Sequence, residues 1–361
     1  MRADLALVGF GNVGRRFAQL LDERRDWLAL DYDLQCRIVG IATRRHGAAF
    51  RANGVDPADA LKAVTSKGSL ASLHENGDEA PDTFEVIRRL AAGDAELRVL
   101  VETTTLDIDA GQPAIDHVRA AMRAGCHAIT ANKGPAAFAY EELSALAADR
   151  GVSFLFEGAV MDGIPVFNLV RETLPAVDVL GFRGVVNSTT NEILTALEDG
   201  QSFDDALARM QAEGIAEADP SLDVDGWDAA AKTAALANVL MRARLTPQAV
   251  DREGIGPAIA RAAMAARSRG ARVRLVASAE RTATGVATSV RPTELAESDL
   301  LAGLRGTANA LVLKTDLLGE IAICQLGGGL TQTAYALLSD LVTVRRRQPP
   351  ARRQAAPDRI P

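Results

Sequence analysis

Five of the chain's 40 basic residues are lysine: Lys62, Lys67, Lys133, Lys232 and Lys314. Arginine keeps its proton at any useful pH and lysine can release it, so a lysine among acids is here a candidate proton carrier. Lys232 is the strongest instance. Ahead of it lies the densest polar stretch, running from Ile215 through Glu217, Asp219, Asp223 and Asp225 to Asp228. Pro220 and Gly226 predict that the first four acids fall on a loop. Asp228 and Lys232 are four apart on the following helix and share a face. On an exposed helix such a pair is worth roughly a few tenths of a kcal/mol. The flanking residues Trp227, Ala229, Ala230, Ala231 and Ala234–Ala237 are apolar, which predicts a largely buried helix. An ion pair there is unusual without a purpose. An acidic loop beside a buried lysine suits a substrate carrying an ammonium group and a reducible carbonyl.

A second constellation lies at the N-terminus. Leu5–Val8 is a short apolar run, followed by Gly9-Phe10-Gly11-Asn12-Val13-Gly14 and a helical pattern over Arg15–Glu23. A GxGxxG signature between strand and helix predicts dinucleotide binding: the first glycine for the turn, the second for close approach of the pyrophosphate, the third for helix–strand packing. The next apolar run, Cys36–Ala42, is followed by Thr43-Arg44-Arg45 with no adjacent acid. An acid there would bind the ribose 2′-hydroxyl of NAD; two guanidiniums suit a 2′-phosphate. NADP is therefore the expected cofactor and NAD the alternative, unless Arg44 and Arg45 are only a surface pair. Thr104 and Lys133 follow the third and fourth strand patterns, at the strand ends where ligands bind in an open parallel sheet.

These residues need a scaffold. Strand patterns at Leu5–Val8, Cys36–Ala42, Arg98–Glu102, His127–Thr130 and Val152–Phe156 alternate with helices, which predicts a parallel sheet. Near residue 158 glycine and proline cluster and the pattern becomes mixed. The predicted fold is α/β: a Rossmann-type dinucleotide-binding domain over 1–157, a mixed α+β substrate-binding and dimerisation domain over 158–324, a helix within 325–344 returning to the first domain, and a disordered tail over 345–361. The net charge of −7 argues against a nucleic-acid binder. No apolar run is long enough to span a bilayer. Cys36, Cys126 and Cys324 are too few and scattered for a disulfide framework and suit a reducing cytoplasm. The four histidines lack zinc-ligand spacing.

The chain resembles the homoserine dehydrogenase family from Leu5 to about Leu341. The resemblance rests on Gly9–Gly14, Thr130-Ala131-Asn132-Lys133-Gly134-Pro135, Glu157–Pro165, Val186-Asn187-Ser188-Thr189-Thr190-Asn191, Ala216–Lys232, and Gly327-Gly328-Gly329-Leu330-Thr331-Gln332. The Ala216–Lys232 stretch is the most specific, because a generic dinucleotide-binding enzyme has no need of it. The resemblance implies NAD(P)-dependent interconversion of L-homoserine and L-aspartate 4-semialdehyde. It implies Asp228 and Lys232 as the catalytic pair, with Lys133 near cofactor and substrate. It further implies Glu217, Asp223 and Thr189 at the substrate, Gly329 near the cofactor, and Glu157, Val160, Asp162 and Ile164 around a monovalent cation, usually sodium, held mostly by backbone carbonyls. A homodimer is implied in the same way. The family usually has glycine where Ser188 stands, tyrosine at Glu192, an aromatic residue at Ile215 and alanine at Gly328; the first three departures bear on substrate preference. The span after residue 345 leaves no room for an appended regulatory module, so threonine inhibition of that kind is not expected. An aspartate dehydrogenase-like enzyme and a silent dinucleotide sensor are the competing readings. Neither requires the Asp228/Lys232 spacing.

Overall fold

The computed structural model describes residues 1–75, 81–212 and 219–349. Six strands build the first sheet: β1 (Arg2–Val8), β2 (Gln35–Thr43), β3 (Gly47–Phe50), β4 (Leu97–Glu102), β5 (His127–Thr130) and β6 (Phe154–Leu155), in the order β3-β2-β1-β4-β5-β6. All pairings are parallel except β2 with β3. Ala3–Val8 and Val99–Glu102 are buried throughout, as strands covered on both faces require. On one face the core includes Phe17, Leu20 and Leu21 of helix α1 (Asn12–Glu23). On the other lie Val86, Ile87 and Leu90 of helix Thr83–Ala91 with Val118, Ala121 and Met122 of helix Ala114–Arg123. Strand order reverses between β1 and β4, and the crevice above that point is where such sheets take ligands.

The second sheet contains β7 (Val179–Val185), β8 (Asp251–Arg252), β9 (Ala271–Thr282), β10 (Gly285–Ala296), β11 (Asn309–Thr315) and β12 (Glu320–Gln325), in the order β12-β11-β7-β9-β10-β8. It is antiparallel except for β8 with β10. Helices α2 (Ser188–Glu198) and α3 (Trp227–Met241) contribute to its core. In α3, Ala229, Ala230, Ala231 and Ala234–Ala237 are all buried; an alanine-rich helix packs close on every side. One of those sides meets the short helix Gly134–Phe138. There the buried Asn238 Nδ2 donates to the carbonyls of Ala136, Ala137 and Leu245 at 3.3, 3.1 and 2.9 Å.

Several elements differ from the sequence reading. Gly47–Phe50 adds a hairpin strand that is too short to show a period of its own; Gly47 makes the turn at φ +69. The strand expected at Val152–Phe156 shrinks to Phe154–Leu155. β9 and β10 run beyond Val273–Ala277 and Val286–Val290, the apolar segments that predict strands there, because antiparallel pairing continues into the exposed residues from Glu280 to Thr282. The loop containing Asp223 includes the short helix Ser221–Val224. The last helix, α4 (Leu330–Arg346), runs past residue 344 and takes in Arg345 and Arg346, which the sequence reading gave to a tail. Its residues Leu337, Leu338 and Leu341 share a buried cluster with Phe17 and Leu21 of α1, and the fully buried Val344 continues that cluster into the last turn.

Candidate active site

The glycine turn is built by steric exclusion. Gly9 has φ +94, and a Cβ there would lie 2.5 Å from the Thr103 carbonyl carbon. A Cβ on Gly14 would lie 2.6 Å from the Gly9 carbonyl oxygen. At Gly11 a Cβ would meet nothing within 4 Å, so the space above it is open. Gly11 is also the N-cap of α1, which has no side-chain cap and no acid in its first turn. The first amide N–H groups of α1 therefore lack side-chain acceptors and suit a phosphate. Asn12 is exposed beside this opening and Val13 lines the cavity below it. The Phe10 ring is buried in the core, so only its backbone is available to a cofactor; its carbonyl accepts from Arg15 Nε at 2.9 Å. Gly9→Ala is expected to weaken dinucleotide binding by at least about tenfold and lower Tm, because the new methyl must displace backbone. Calorimetric titration checks this, and an affinity within twofold of wild type would refute it.

β2 ends at Thr43. Arg44 and Arg45 form the exposed tip of the hairpin, and neither is held by a carboxylate among the described residues.

The polar centre joins the two domains. Asp228, in the first turn of α3, accepts from Lys133 Nζ at 3.1 Å on one oxygen and from Lys232 Nζ at 3.0 Å on the other. Lys133 comes from the loop after β5, and Lys232 lies one turn along α3. Lys232 Nζ also donates to the Val186 carbonyl at 2.6 Å. All three side chains are mostly buried, 14–22% exposed. Burial opposes charge on Asp228, but Lys133, Lys232 and a bond from Asn187 hold its carboxyl well below the usual carboxylate range. The helix N-terminus acts in the same direction. Burial would lower Lys133, yet Asp228 outweighs it and the ammonium is held above its ordinary value.

Asn187 is a residue that motif reading did not single out. Its Nδ2 donates to Asp223 Oδ1 at 2.7 Å and Asp228 Oδ2 at 2.9 Å, so one amide holds two carboxylates side by side. Its Oδ1 accepts from Thr190 N at 2.8 Å as the N-cap of α2. The N-cap preference for asparagine before a helical run was the available signal. Asp223 is raised by burial and by the Asp228 charge, against bonds from Asn187 and the buried Thr189. Glu217 and Ile215 lie outside the described residues. Ser188 and Glu192 turn away from this centre: Ser188 Oγ donates to the Thr307 carbonyl at 3.1 Å, and Glu192 pairs with Arg209 at 2.9 Å. The base of α3 is pinned by Arg252, whose guanidinium stacks 3.8 Å from the Trp227 ring centre.

Lys133 and Lys232 line a cavity of about 190 Å³ with Val13, Thr104, Val160 and Asp162. Thr104 sits above the fully buried Glu102 at the end of β4 and donates to it from its backbone N at 2.9 Å and from its hydroxyl. Burial pushes the Glu102 carboxyl up to about 7 despite those bonds and another from Thr130. On the opposite wall, Asp162 has φ +48 and accepts from Thr333 Oγ1 at 3.0 Å and Gln325 Nε2 at 3.1 Å. These contacts tie the Glu157–Pro165 loop to the start of α4, whose N-cap is Gly329. The Glu157 carboxylate is spent on the amides of Phe167 and Asn168 at 2.8 and 2.6 Å. The Ile164 carbonyl accepts from Val166 N at 2.9 Å.

A glycine turn opening on a helix N-terminus, with an ammonium pair across the crevice, defines a two-domain NAD(P)-dependent oxidoreductase. Residues 9–157 match the family model "Homoserine dehydrogenase, NAD binding domain" and residues 165–342 match "Homoserine dehydrogenase". The chain belongs to the homoserine dehydrogenase family. It is 37% identical to the NAD(+)-dependent homoserine dehydrogenase of Pseudomonas canavaninivorans, over 94% of this chain and 95% of that protein. It is 34% identical to the homoserine dehydrogenase of Methanocaldococcus jannaschii, over 94% and 98%. Among solved structures it is similar to a homoserine dehydrogenase from Thiobacillus denitrificans (TM-score 0.79, 30% identity, 96% of this chain and 74% of that one). It is also similar to a hyperthermophilic archaeal homoserine dehydrogenase in complex with NADPH (TM-score 0.77, 29% identity, 97% and 99%).

Proposed function

We propose that this chain interconverts L-homoserine and L-aspartate 4-semialdehyde, with Lys232 as proton donor to the carbonyl oxygen. The observation that carries the reading is Asp228 held between Lys133 and Lys232 beside a cavity that reaches the glycine turn. The cradle at Gly9, Gly11 and Gly14 fits a dinucleotide, which when bound supplies or removes a hydride. The chain's own part is to bind, orient and move a proton. An ammonium has three N–H donors. Lys232 spends one on Val186 and one on Asp228, which leaves one for an oxygen in the cavity. As the aldehyde is reduced, charge develops on that oxygen; two ammoniums stabilise it and Lys232 neutralises it. Glu217 takes the substrate ammonium, Asp223 is a further substrate-binding acid, and Thr189 supports Asp223. The aspartate dehydrogenase-like and silent-sensor readings leave this lysine–carboxylate centre without a task.

The test is steady-state oxidation of L-homoserine with NAD and NADP side by side. Turnover with either supports the reading, and none with both overturns it. We infer NADP as the preferred cofactor from Arg44 and Arg45, which no carboxylate among the described residues holds. The double variant Arg44→Ser, Arg45→Ser is expected to lose roughly ten- to a hundredfold in kcat/KM for NADP and change little for NAD. Equal losses with both cofactors would refute the assignment.

A monovalent cation, sodium by family resemblance, is proposed at the carbonyls of Glu157, Val160, Asp162 and Ile164. Replacing sodium chloride by tetramethylammonium chloride is expected to lower Tm, and an unchanged Tm would refute the site. The proposed assembly is a homodimer, checked by light scattering. The unpaired Cys36, Cys126 and Cys324 suit a cytoplasmic setting.

A further inference from the structure

Glu102 is a carboxyl group that the mechanism above does not use. It ends β4 beneath the cavity, is fully buried, and makes no ion pair among the described residues. A buried acid without a cation is costly unless its hydrogen bonds serve something. It accepts three. Thr130 Oγ1 donates to Oε2 at 2.7 Å, while Thr104 N at 2.9 Å and the Thr104 hydroxyl both donate to Oε1. Asn132 completes the arrangement: its N donates to Thr130 Oγ1 at 2.9 Å and its Nδ2 to the Thr104 carbonyl at 2.9 Å, with a long contact of 3.5 Å to Thr104 Oγ1 that leaves the second lone pair of that oxygen open. Threonine has one hydroxyl proton and two lone pairs. Above the value of about 7 to which burial raises it, Glu102 is a carboxylate with no proton to give, so the Thr104 proton is committed downward and what the oxygen offers the cavity is its capacity to accept.

We propose that Glu102 is a positioning residue that makes Thr104 Oγ1 an acceptor for the carboxamide NH₂ of the nicotinamide ring, so that the pair selects the ring substituent. This rests on the dinucleotide reading of the glycine turn and extends it from the phosphates to the ring. A site built to accept from an N–H group rejects an analogue that presents a methyl group instead, because the acceptor is then left unpaired.

The experiment compares three probes by calorimetric titration: NADP⁺, its 3-acetylpyridine analogue with methyl in place of NH₂, and 2′-phospho-ADP-ribose, which lacks the ring. Wild type should bind NADP⁺ at least about tenfold more tightly than the analogue. Thr104→Val, which deletes the acceptor, should bring that ratio within about threefold and leave 2′-phospho-ADP-ribose binding within twofold. Glu102→Met, which frees the hydroxyl proton, should do the same. Glu102→Gln, whose carbonyl oxygen can still take the Thr104 proton, should restore most of the ratio. A purely structural role would weaken all three probes together. A wild-type ratio within threefold, or an unchanged ratio in Thr104→Val, overturns the proposal even if Glu102→Met does not fold. Failure of both 2′-phospho-ADP-ribose and plain ADP-ribose to bind wild type overturns it together with the dinucleotide reading. Binding of either without discrimination at the ring overturns it alone.

Discussion

Lys232→Arg is expected to lower kcat by about a thousandfold or more in both directions and leave dinucleotide affinity within about threefold. The substitution keeps the positive charge and removes the ability to give up a proton. Two geometric facts sharpen it. Lys232 Nζ already holds the Val186 carbonyl at 2.6 Å and Asp228 at 3.0 Å, in a space only 14% exposed. A planar guanidinium cannot make both contacts from the same stem and still direct a donor into the cavity. The dinucleotide cradle lies in the other domain, across the crevice, so its affinity should survive. The measurement is homoserine oxidation and aldehyde reduction, with dinucleotide binding followed separately. Turnover within a few fold of wild type would remove Lys232 as the donor and pass the role to Lys133.

The second large effect is expected from Asp228→Asn. The shape is kept and the charge is lost, leaving two ammoniums facing a neutral amide in a mostly buried site. Breaking a buried pair in this way costs about 3–5 kcal/mol. A clear fall in Tm should therefore accompany a drop of about a hundredfold or more in kcat/KM. The pH dependence has a definite sign. The Asp228 carboxyl is depressed, so its contribution is present above the ordinary carboxylate range and is lost as pH falls through its low folded value. The Lys133 ammonium is raised, so its contribution is present below its ordinary value of 10.5 and is lost only as pH rises beyond that. The Tm difference between wild type and Asp228→Asn should be flat from about pH 5 to 10 and shrink on either side. A difference that grew toward acid would mean that Asp228 is not the stabilising charge.

Both predictions concern residues whose types and spacing were visible in the chain. Asp228 and Lys232 share a face through the helical period, and Lys133 stood out because lysine is rare here. The glycine turn was legible because a strand, three glycines and a helix in that order have few other uses. Asn187 stood inside a motif without a role of its own, and Glu102 stood only at the end of a strand pattern. A buried asparagine or glutamate looks like any other until its neighbours are known. Ser188 and Glu192 looked like changes in the substrate pocket, yet their side chains go to Thr307 and Arg209. Phe10, inside the glycine motif, sends its ring into the core.

The sequence by itself determined the periodic and local features: which segments alternate as strand and helix, where the backbone must turn, and which two charges lie one helical turn apart. Those follow from sterics and spacing within a few residues. Only the tertiary structure decided that Lys133 of one domain meets Asp228 of the other, and that one amide spans two carboxylates. It also decided that a buried acid stands beneath Thr104. These are contacts between segments distant in the chain, and they depend on how α3 packs against the loop after β5, a choice made by the whole core.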